Sequence, residues 1–332
     1  MWARPLVKIL VGLSALVFVV AGWFALQIDP IFAGRGREVI ITVDPGDSMS
    51  TIAAKLHARG VIASPLAFRI EDVVLGSPLV RPGQYGLRQG SSFASVRSIL
   101  GQLPNVVTVP AGFTIREVVN EVRALRGGPF AGELASELTA TVTASPFVSG
   151  TSLEGLIGPG QYVIAPETTP RDLARQMVRA FSAEAKSVGL TAQTTVATLR
   201  AYQIIVAASI VQKEGYYPRN MPKVARVVLN RLRRGGPLQM DATVLYALGR
   251  DGGIVTHAME DTPSPYNTYL NSGLPPTPIC TVSPTALRAV LHAPPGPWLY
   301  FTVVDARGDE AFATTFAQQL RNEQLATSRG AP

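Results

Sequence analysis

The sequence predicts an α+β protein with a single N-terminal transmembrane helix. An alternating apolar segment, a turn and an amphipathic helix recur in this order four times between residues 39 and 181. A β-hairpin pattern follows near the C-terminus. The chain has 332 residues, of which 47% are hydrophobic and 16% are charged. This length and composition allow about two domains of ~150 residues and a sizeable buried core.

The four repeated units each combine a strand with a helix that follows a Ser or Thr. In the first unit, Val39–Val43 alternates, Ser48 precedes the helix and Gly60 is placed to end it. The other units start at Tyr85, Val106 and Tyr162, and their helices follow Gly90-Ser91, Thr114 and Thr168-Thr169-Pro170. Units of the first kind resemble LysM-like modules, which bind glycan strands. They also serve as plain packing units, and both interpretations stay open.

Two helices and a hairpin are predicted in the second half of the chain. The strongest helical pattern runs from Ala201 to Gly215, and another runs from Pro222 to Arg234. The segments WLYFTVVD and EAFATTF flank a turn at residues 306–309 and predict the hairpin. Residues 127–152 are rich in Gly, Ala, Ser and Thr, and we expect them to connect the two parts of the chain.

The N-terminus predicts a membrane anchor. Ile9 to Leu26 is a run of eighteen uncharged residues, and about 20 apolar residues span a bilayer core. Because Arg4 and Lys8 precede the run, the positive-inside rule predicts a cytoplasmic tail at 1–8, a transmembrane helix at 9–27, a linker at 28–37 and an external remainder. A cleaved signal peptide is the alternative, but the run is long and no good cleavage site follows it.

Charge and side-chain chemistry narrow the class of function. Thirty Lys and Arg against 23 Asp and Glu give a formal net charge of +7, which suits an anionic membrane surface or an acidic polymer. No nucleic-acid motif is evident, so nucleic acid is not an expected partner. Cys280 is the single cysteine, and the three histidines lack metal-ligand spacing. The sequence therefore predicts neither a metal site nor a cofactor.

Glu214 is the strongest candidate for a catalytic group. It follows Val211, Ile210 and Ala207 at helical spacings of three, four and seven, which places it on the buried face of its helix. Gly215 comes next and is expected to end the helix, so Glu214 lies at the negative end of the helix dipole. Burial and the dipole both raise the pKa of a carboxyl group, as a general acid requires. An ion pair with Arg226 or Arg231 is the alternative.

Polar and aromatic side chains downstream are candidates for substrate binding. Gln239, Asp241 and Thr243 alternate with apolar residues, and in an extended segment they would share one face. Such a row binds sugar hydroxyls or forms a solvated edge. Tyr266 and Asn267 lie in a Tyr- and Pro-rich segment that suits a rigid sugar-binding wall, or a proline-rich surface loop.

Three segments carry a resemblance to a known family. They are SIVQKEG from Ser209, VARVVLNRLRRGGPLQMDATVLYALG from Val224 and SPYNTYLNSGLPPTPI from Ser264. Together they resemble the endolytic murein transglycosylase (YceG-like) family. The resemblance includes the anchor, the LysM-like unit and the LEG…PGQY segment from Leu153 to Tyr162. It implies a LysM-like periplasmic domain at 38–105 and a transglycosylase catalytic domain at 106–330.

The resemblance implies an inner-membrane protein whose periplasmic domain cleaves nascent peptidoglycan strands and limits their length. In such enzymes one Glu protonates the oxygen between N-acetylmuramic acid and N-acetylglucosamine. The muramyl primary hydroxyl then closes onto the anomeric carbon and leaves an anhydro end. The essential Glu maps onto Glu214, and the family acid two residues earlier is Gln212 here. Asn230, Gln239, Asp241, Tyr266 and Asn267 match the family pattern as substrate contacts. Association with cell-wall synthases is also implied.

The chain departs from the family pattern at two places. A Phe-Pro-Asp-Thr-Tyr segment reads Gly-Pro-Gly-Gln-Tyr from Gly158 to Tyr162, and in a His-x-Phe-Ser-x-Thr segment Glu310 and Ala313 replace the His and the Ser. Two other functions remain open. One is a muramidase in which Glu214 and Asp241 activate water, and the other is a non-catalytic, membrane-anchored peptidoglycan-binding protein.

Overall fold

A computed structural model of the chain describes residue 19, residues 22–23, and the ranges 33–140, 145–147, 152–165, 167–215 and 217–331. The predicted cytoplasmic tail and most of the predicted anchor lie outside these residues. Within the described ranges, no helix is both long enough and apolar enough to cross a membrane. The chain divides into two compact units, one ending at Val107 with Val163–Glu167 added, the other made of Thr108–Tyr162 and Thr168–Pro332.

The first unit is built on an antiparallel strand pair and three helices. Its elements are β1 (Glu38–Val43), α1 (Met49–Ala58), α2 (Pro65–Leu75), β2 (Gly83–Arg88) and α3 (Phe93–Leu100). Glu38 pairs with Arg88 and Val43 with Gly83. The side chain of Ser48 accepts a hydrogen bond from the Thr51 amide and so caps α1, as predicted. The first two predicted strand-plus-helix units are therefore confirmed.

The core of the first unit is formed by the apolar faces of these elements. Ile41, Leu56, Phe68, Tyr85 and Phe93 are each at most 2% exposed. The rings of Phe68 and Phe93 meet edge to face with centroids 5.2 Å apart. The unit thus buries a hydrophobic core of its own.

The remaining two strand-plus-helix units follow along the chain. Their elements are β3 (Val106–Val109), α4 (Ile115–Ala140), β4 (Gly160–Val163) and α5 (Pro170–Ser187), and β3 pairs with β4. The α4 helix is interrupted at Gly127, where φ is 81° and ψ is 173°. The segment predicted to connect the two parts of the chain, 127–152, is thus helical as far as Ala140, and its Leu134 and Leu138 are fully buried.

A central helix organises the rest of the second unit. The following elements are β5 (Thr195–Val196), β6 (Leu199–Arg200), α6 (Ala201–Glu214), α7 (Met221–Arg234), α8 (Asp241–Ala247), α9 (His257–Glu260) and α10 (Pro284–Leu291). Every residue of α6 from Ile204 to Val211 is buried, and both α7 and α10 pack against this helix. A helix that is apolar all round belongs in a core. The end of α6 is consequently held on several sides.

The chain closes with a hairpin and a helix. They are β7 (Tyr300–Val303), β8 (Glu310–Ala313) and α11 (Phe316–Ser328). Tyr300 pairs with Ala313 and Val303 with Glu310, so the predicted hairpin is confirmed. The predicted α+β class is confirmed as well.

The prediction of an extended segment through Gln239, Asp241 and Thr243 is wrong. Asp241 begins the helix α8, and Gln239 has a positive φ of 50°. The three side chains therefore do not form one polar row. The alternation covers only five residues, and the helix α8 begins within it at Asp241.

Candidate active site

Glu214 is the last residue of α6, where the helix ends at Gly215. The Gly215 amide donates to the Val211 carbonyl oxygen at 2.9 Å. A Cβ at Gly215 would lie 2.7 Å from Cγ of Met221, so only glycine fits where the chain turns from α6 into α7. The packing of α7 thus fixes the position of the catalytic candidate.

The Glu214 carboxyl group is held in a largely desolvated position. Its Oε1 accepts a hydrogen bond from the Ala242 amide at 3.0 Å, from the first turn of α8. Burial raises the pKa of Glu214 to about 7, and the Asp241 charge adds to this rise, while the Ala242 amide and the Arg231 charge oppose it. A carboxylic acid in this range is protonated often enough near neutral pH to act as a general acid.

The alternative of a buried ion pair is not what the structure shows. Arg226 donates to the carbonyl oxygens of Ala293 and Pro294, at 2.5 and 2.6 Å. Arg231 donates to the Leu299 carbonyl oxygen at 2.7 Å. In the described part of the chain, neither arginine forms a salt bridge with Glu214. No ion pair among the described residues therefore stabilises the ionised form of the Glu214 carboxyl group.

Three cavities of the second unit meet at Glu214. Their volumes are about 260, 470 and 480 Å³, and Glu214 and Asp241 line all three. Because they share these residues, the cavities form a cleft that continues on more than one side of the Glu214 carboxyl. We call the combined space the Glu214 cleft.

One arm of the Glu214 cleft, the 260 Å³ cavity, lies against a glycine-containing loop. Tyr246 and Ile279 form part of its wall, with the loop residues 250–253 beside them. Lys213, next to Glu214 on α6, forms a salt bridge with Asp251 of this loop. The Lys213 hydrogen bond lowers the pKa of Asp251. This ion pair ties the loop to the end of α6.

The other arms are lined by the hairpin and α11. Phe301, Thr302 and Glu323 border both cavities on this side, and Glu310 borders one of them. The Tyr269 hydroxyl donates to Asp241 Oδ1 at 2.5 Å and orients that carboxylate beside Glu214. The cleft therefore combines apolar rings, hydroxyls and carboxyls, as sites for polar, ring-shaped ligands do.

Two of the predicted substrate contacts line the cleft. Asp241 borders all three cavities, and Gln239 borders the 480 Å³ cavity. Tyr266 lies one layer behind, with its ring centroid 4.8 Å from that of Tyr246 and its hydroxyl 2.9 Å from that of Thr277. Its ring supports the wall that Tyr246 forms.

The other predicted contacts are buried and hold loops together. The Asn230 amide donates to the carbonyl oxygens of Gly296 and Trp298, at 2.9 and 2.8 Å. The Thr243 hydroxyl donates to the Met240 carbonyl oxygen at 2.7 Å. The Asn267 amide donates to the carbonyl oxygens of Glu260 and Thr262, at 2.7 and 2.8 Å. These three side chains border none of the cavities of the cleft.

Several cleft residues were not predicted from the sequence. They are Lys213, Tyr246, Asp251, Tyr269 and Glu323. Tyr246 and Tyr269 stand in the recognised segments, so the resemblance was a usable signal for them. Glu154, which is 5% exposed, accepts hydrogen bonds from the Ile115 amide at 3.1 Å and the Tyr246 hydroxyl at 3.3 Å, and burial raises its pKa to about 7. Over the described ranges, no cluster of His, Cys, Asp and Glu is arranged to hold a metal ion.

The fold and the cleft define a class of protein: an α+β enzyme whose cleft holds the desolvated carboxyl group of Glu214. The chain belongs to the YceG-like family, whose profile matches residues 41–325. A solved YceG-like protein from Listeria monocytogenes has the same fold, with a TM-score of 0.57 at 23% identity, covering 86% of this chain and 99% of the other.

Curated relatives of the chain carry one name. The endolytic murein transglycosylase of Bacillus subtilis (strain 168) is 26% identical over 316 residues, which cover 90% of this chain and 87% of the relative. The endolytic murein transglycosylase of Streptococcus pneumoniae (strain ATCC BAA-255 / R6) is 26% identical over 357 residues, covering 93% of this chain. The match spans 64% of that longer relative.

Proposed function

We propose that this protein is an endolytic lytic transglycosylase that cleaves the bond between N-acetylmuramic acid and N-acetylglucosamine in peptidoglycan strands. The observation that carries the proposal is the Glu214 carboxyl, desolvated and unpaired with any described cation, at the meeting point of three cavities. The names of the curated relatives support the same reaction.

The reaction needs one carboxyl group in two roles. Glu214 donates its proton to the bridging oxygen as the bond from that oxygen to the anomeric carbon breaks. The primary hydroxyl of the muramyl residue then bonds to the anomeric carbon and gives its proton to the Glu214 carboxylate. An anhydro end forms, Glu214 regains its proton and water is not consumed. This single-carboxyl sequence differs from the two-carboxyl scheme of most glycosidases.

The shape of the cleft supports internal cleavage. Since cavities extend from Glu214 along the loop at 250–253 and along the hairpin and α11, sugar residues can be bound on both sides of the bond that breaks. An enzyme that removes sugars only from a strand end needs a cleft closed on one side. The result of internal cleavage is a shorter strand.

The location of the protein is part of the proposal. We infer that residues 9–27 anchor the chain in the cell inner membrane and that the folded units face the periplasm, where peptidoglycan is made. The apolar run at 9–26 and the basic residues before it support this topology. In this setting the first unit, at 38–105, serves as a LysM-like glycan-binding domain, and cell-wall synthases are the proposed protein partners.

The chemistry is tested by product analysis. The full chain in detergent is incubated with uncrosslinked glycan strands in heavy-oxygen water, and the products are analysed by mass spectrometry. We expect internal fragments with anhydro-muramyl ends and no heavy oxygen. The Glu214→Gln variant should lose cleavage by about 10²–10⁴-fold, the usual contribution of a general acid. Glu184→Gln, a matched change at a half-buried carboxyl on α5 outside the cleft, should keep it.

The two other functions give different results in the same experiment. A muramidase, in which Asp241 beside Glu214 activates water, yields reducing ends that contain heavy oxygen. A non-catalytic binding protein yields no products from either chain. Cleavage that persists in Glu214→Gln contradicts the proposal directly.

A further inference from the structure

Glu310 is a buried carboxyl group in the same cleft that the reaction above does not use. It lies on β8 opposite Val303 and lines the 470 Å³ cavity together with Glu214 and Asp241. Both of its carboxyl oxygens are buried, and neither has a hydrogen-bond partner among the described residues. Buried polar groups nearly always have such partners, so an exception calls for an explanation.

The polar neighbours of Glu310 are Asn220 and Arg219. The Asn220 amide donates to the Gly308 carbonyl oxygen at 2.9 Å. Arg219 forms its salt bridge with Asp309, at 2.9 Å. Burial therefore dominates and raises the pKa of Glu310 to about 7, with Asn220 and Arg219 opposing the rise and the charge of Glu214 adding to it. Glu310 is a carboxyl group that readily keeps its proton.

Two desolvated carboxyl groups in one cavity raise each other's pKa. When one of them ionises, its charge makes the other hold its proton more tightly, so the pair retains one proton to a higher pH than a lone carboxyl does. The other charged groups facing the pair are Asp241, whose charge raises the pKa of Glu214, and Arg231, whose charge lowers it. Glu323 borders the same cavity and accepts a hydrogen bond from Gln319.

We propose that Glu310 is a positioning residue that acts through Glu214, retaining one proton in the cleft so that Glu214 stays a competent acid at neutral pH. The inference rests on the proposed function. The retained proton is the one that Glu214 donates to the bridging oxygen and regains from the attacking hydroxyl. The pair therefore ends each turnover with the same number of protons as it began.

The first test is the pH profile of kcat/KM, measured by release of anhydro ends. An acid catalyst loses activity as pH rises through its pKa. We expect Glu310→Gln to move this alkaline limb down by about one pH unit, because Glu214 loses its interacting partner. Glu310→Asp, one methylene shorter, should move it less in the same direction, and Glu184→Gln should leave it in place. An unmoved limb in Glu310→Gln overturns the inference.

The second test measures the proton on Glu214 without using activity. Carbon-13 NMR follows the Glu carboxyl signals of the full chain in detergent against pH, and Glu214→Gln identifies the Glu214 signal. The midpoint of Glu214 should fall in Glu310→Gln or, if that variant unfolds, in Glu310→Asp. An unchanged midpoint contradicts the inference. Failure of the proposed function is separate, since it is seen as cleavage by Glu214→Gln.

Discussion

At the scale of single residues, Glu214 combines a reactive group with an unfavourable location. A carboxylate prefers water, and here it lies at a helix end, beside Asp241 and without an ion pair to any described cation. The Ala242 amide offers one compensating hydrogen bond at 3.0 Å. The location that keeps Glu214 protonated for catalysis therefore destabilises the folded protein when this carboxyl group ionises.

Glu214→Gln should stabilise the protein at neutral and alkaline pH. The folded state raises the pKa of Glu214 from an ordinary 4.5 to about 7, so ionisation destabilises the fold. This cost starts as pH rises above the unfolded value and is complete above the folded value, at most ~3 kcal/mol. Gln removes the charge and can still accept from the Ala242 amide.

The measurement is denaturant unfolding of both chains between pH 5 and pH 8. The difference in free energy of unfolding should be small at pH 5 and should favour Glu214→Gln increasingly towards pH 8. A difference that does not change with pH would show that the Glu214 carboxyl is solvated in the folded protein.

At the scale of elements, the turn between α6 and α7 determines where the carboxyl lies. Gly215→Ala places a methyl group 2.7 Å from Met221 Cγ and 2.9 Å from the Val211 carbonyl oxygen. We expect a loss of ~1–3 kcal/mol of stability from this overpacking. The kcat should fall as well, because the end of α6 must shift.

Gly132→Ala is the matched control for that change. Gly132 lies inside α4, and a Cβ there meets nothing within 4 Å. Alanine should therefore be neutral or stabilise the helix by ~0.5–1 kcal/mol, with kcat unchanged. Thermal unfolding and turnover of both variants check the pair, and equal behaviour of the two would contradict the account of the turn.

The elements that could be predicted from the sequence are those with strong local signals. The helix at Ala201–Glu214 has apolar residues at most positions from Ile204 to Val211, and the hairpin at Tyr300–Ala313 has alternating strands around a turn. The short helix α8 was missed because its N-cap, Met240, makes no side-chain hydrogen bond. The preceding Gln239, with its positive φ, also gives no sequence signal.

The candidate site was predictable only in part, for a related reason. Glu214 was found because its own helix determines its burial. Glu310 and Glu323 reach the cleft from segments about a hundred residues away, through packing of the hairpin and α11 that no local pattern encodes. Asn230 and Asn267 were predicted as substrate contacts from the resemblance, and Thr243 from the alternating segment. In the structure the three side chains donate hydrogen bonds to carbonyl oxygens of the protein's own backbone.

At the scale of the whole molecule, the proposed topology determines which substrate the cleft meets. A chain anchored at 9–27 with its C-terminus outside should show activity when alkaline phosphatase is fused after Pro332, since that enzyme matures only outside the cytoplasm. The measurement is phosphatase activity in intact cells, and a full-length fusion that is inactive at Pro332 would contradict the topology.

We propose that a protonated Glu214 cleaves the glycan strand. This is measured as the rate at which anhydro ends form on uncrosslinked strands between pH 5 and pH 9, for the native chain and for Glu214→Gln. We expect native activity to fall as pH rises, with a midpoint near the Glu214 pKa of about 7, and Glu214→Gln to stay at background throughout. Activity that rises across this range, or that survives the substitution, would contradict the proposal.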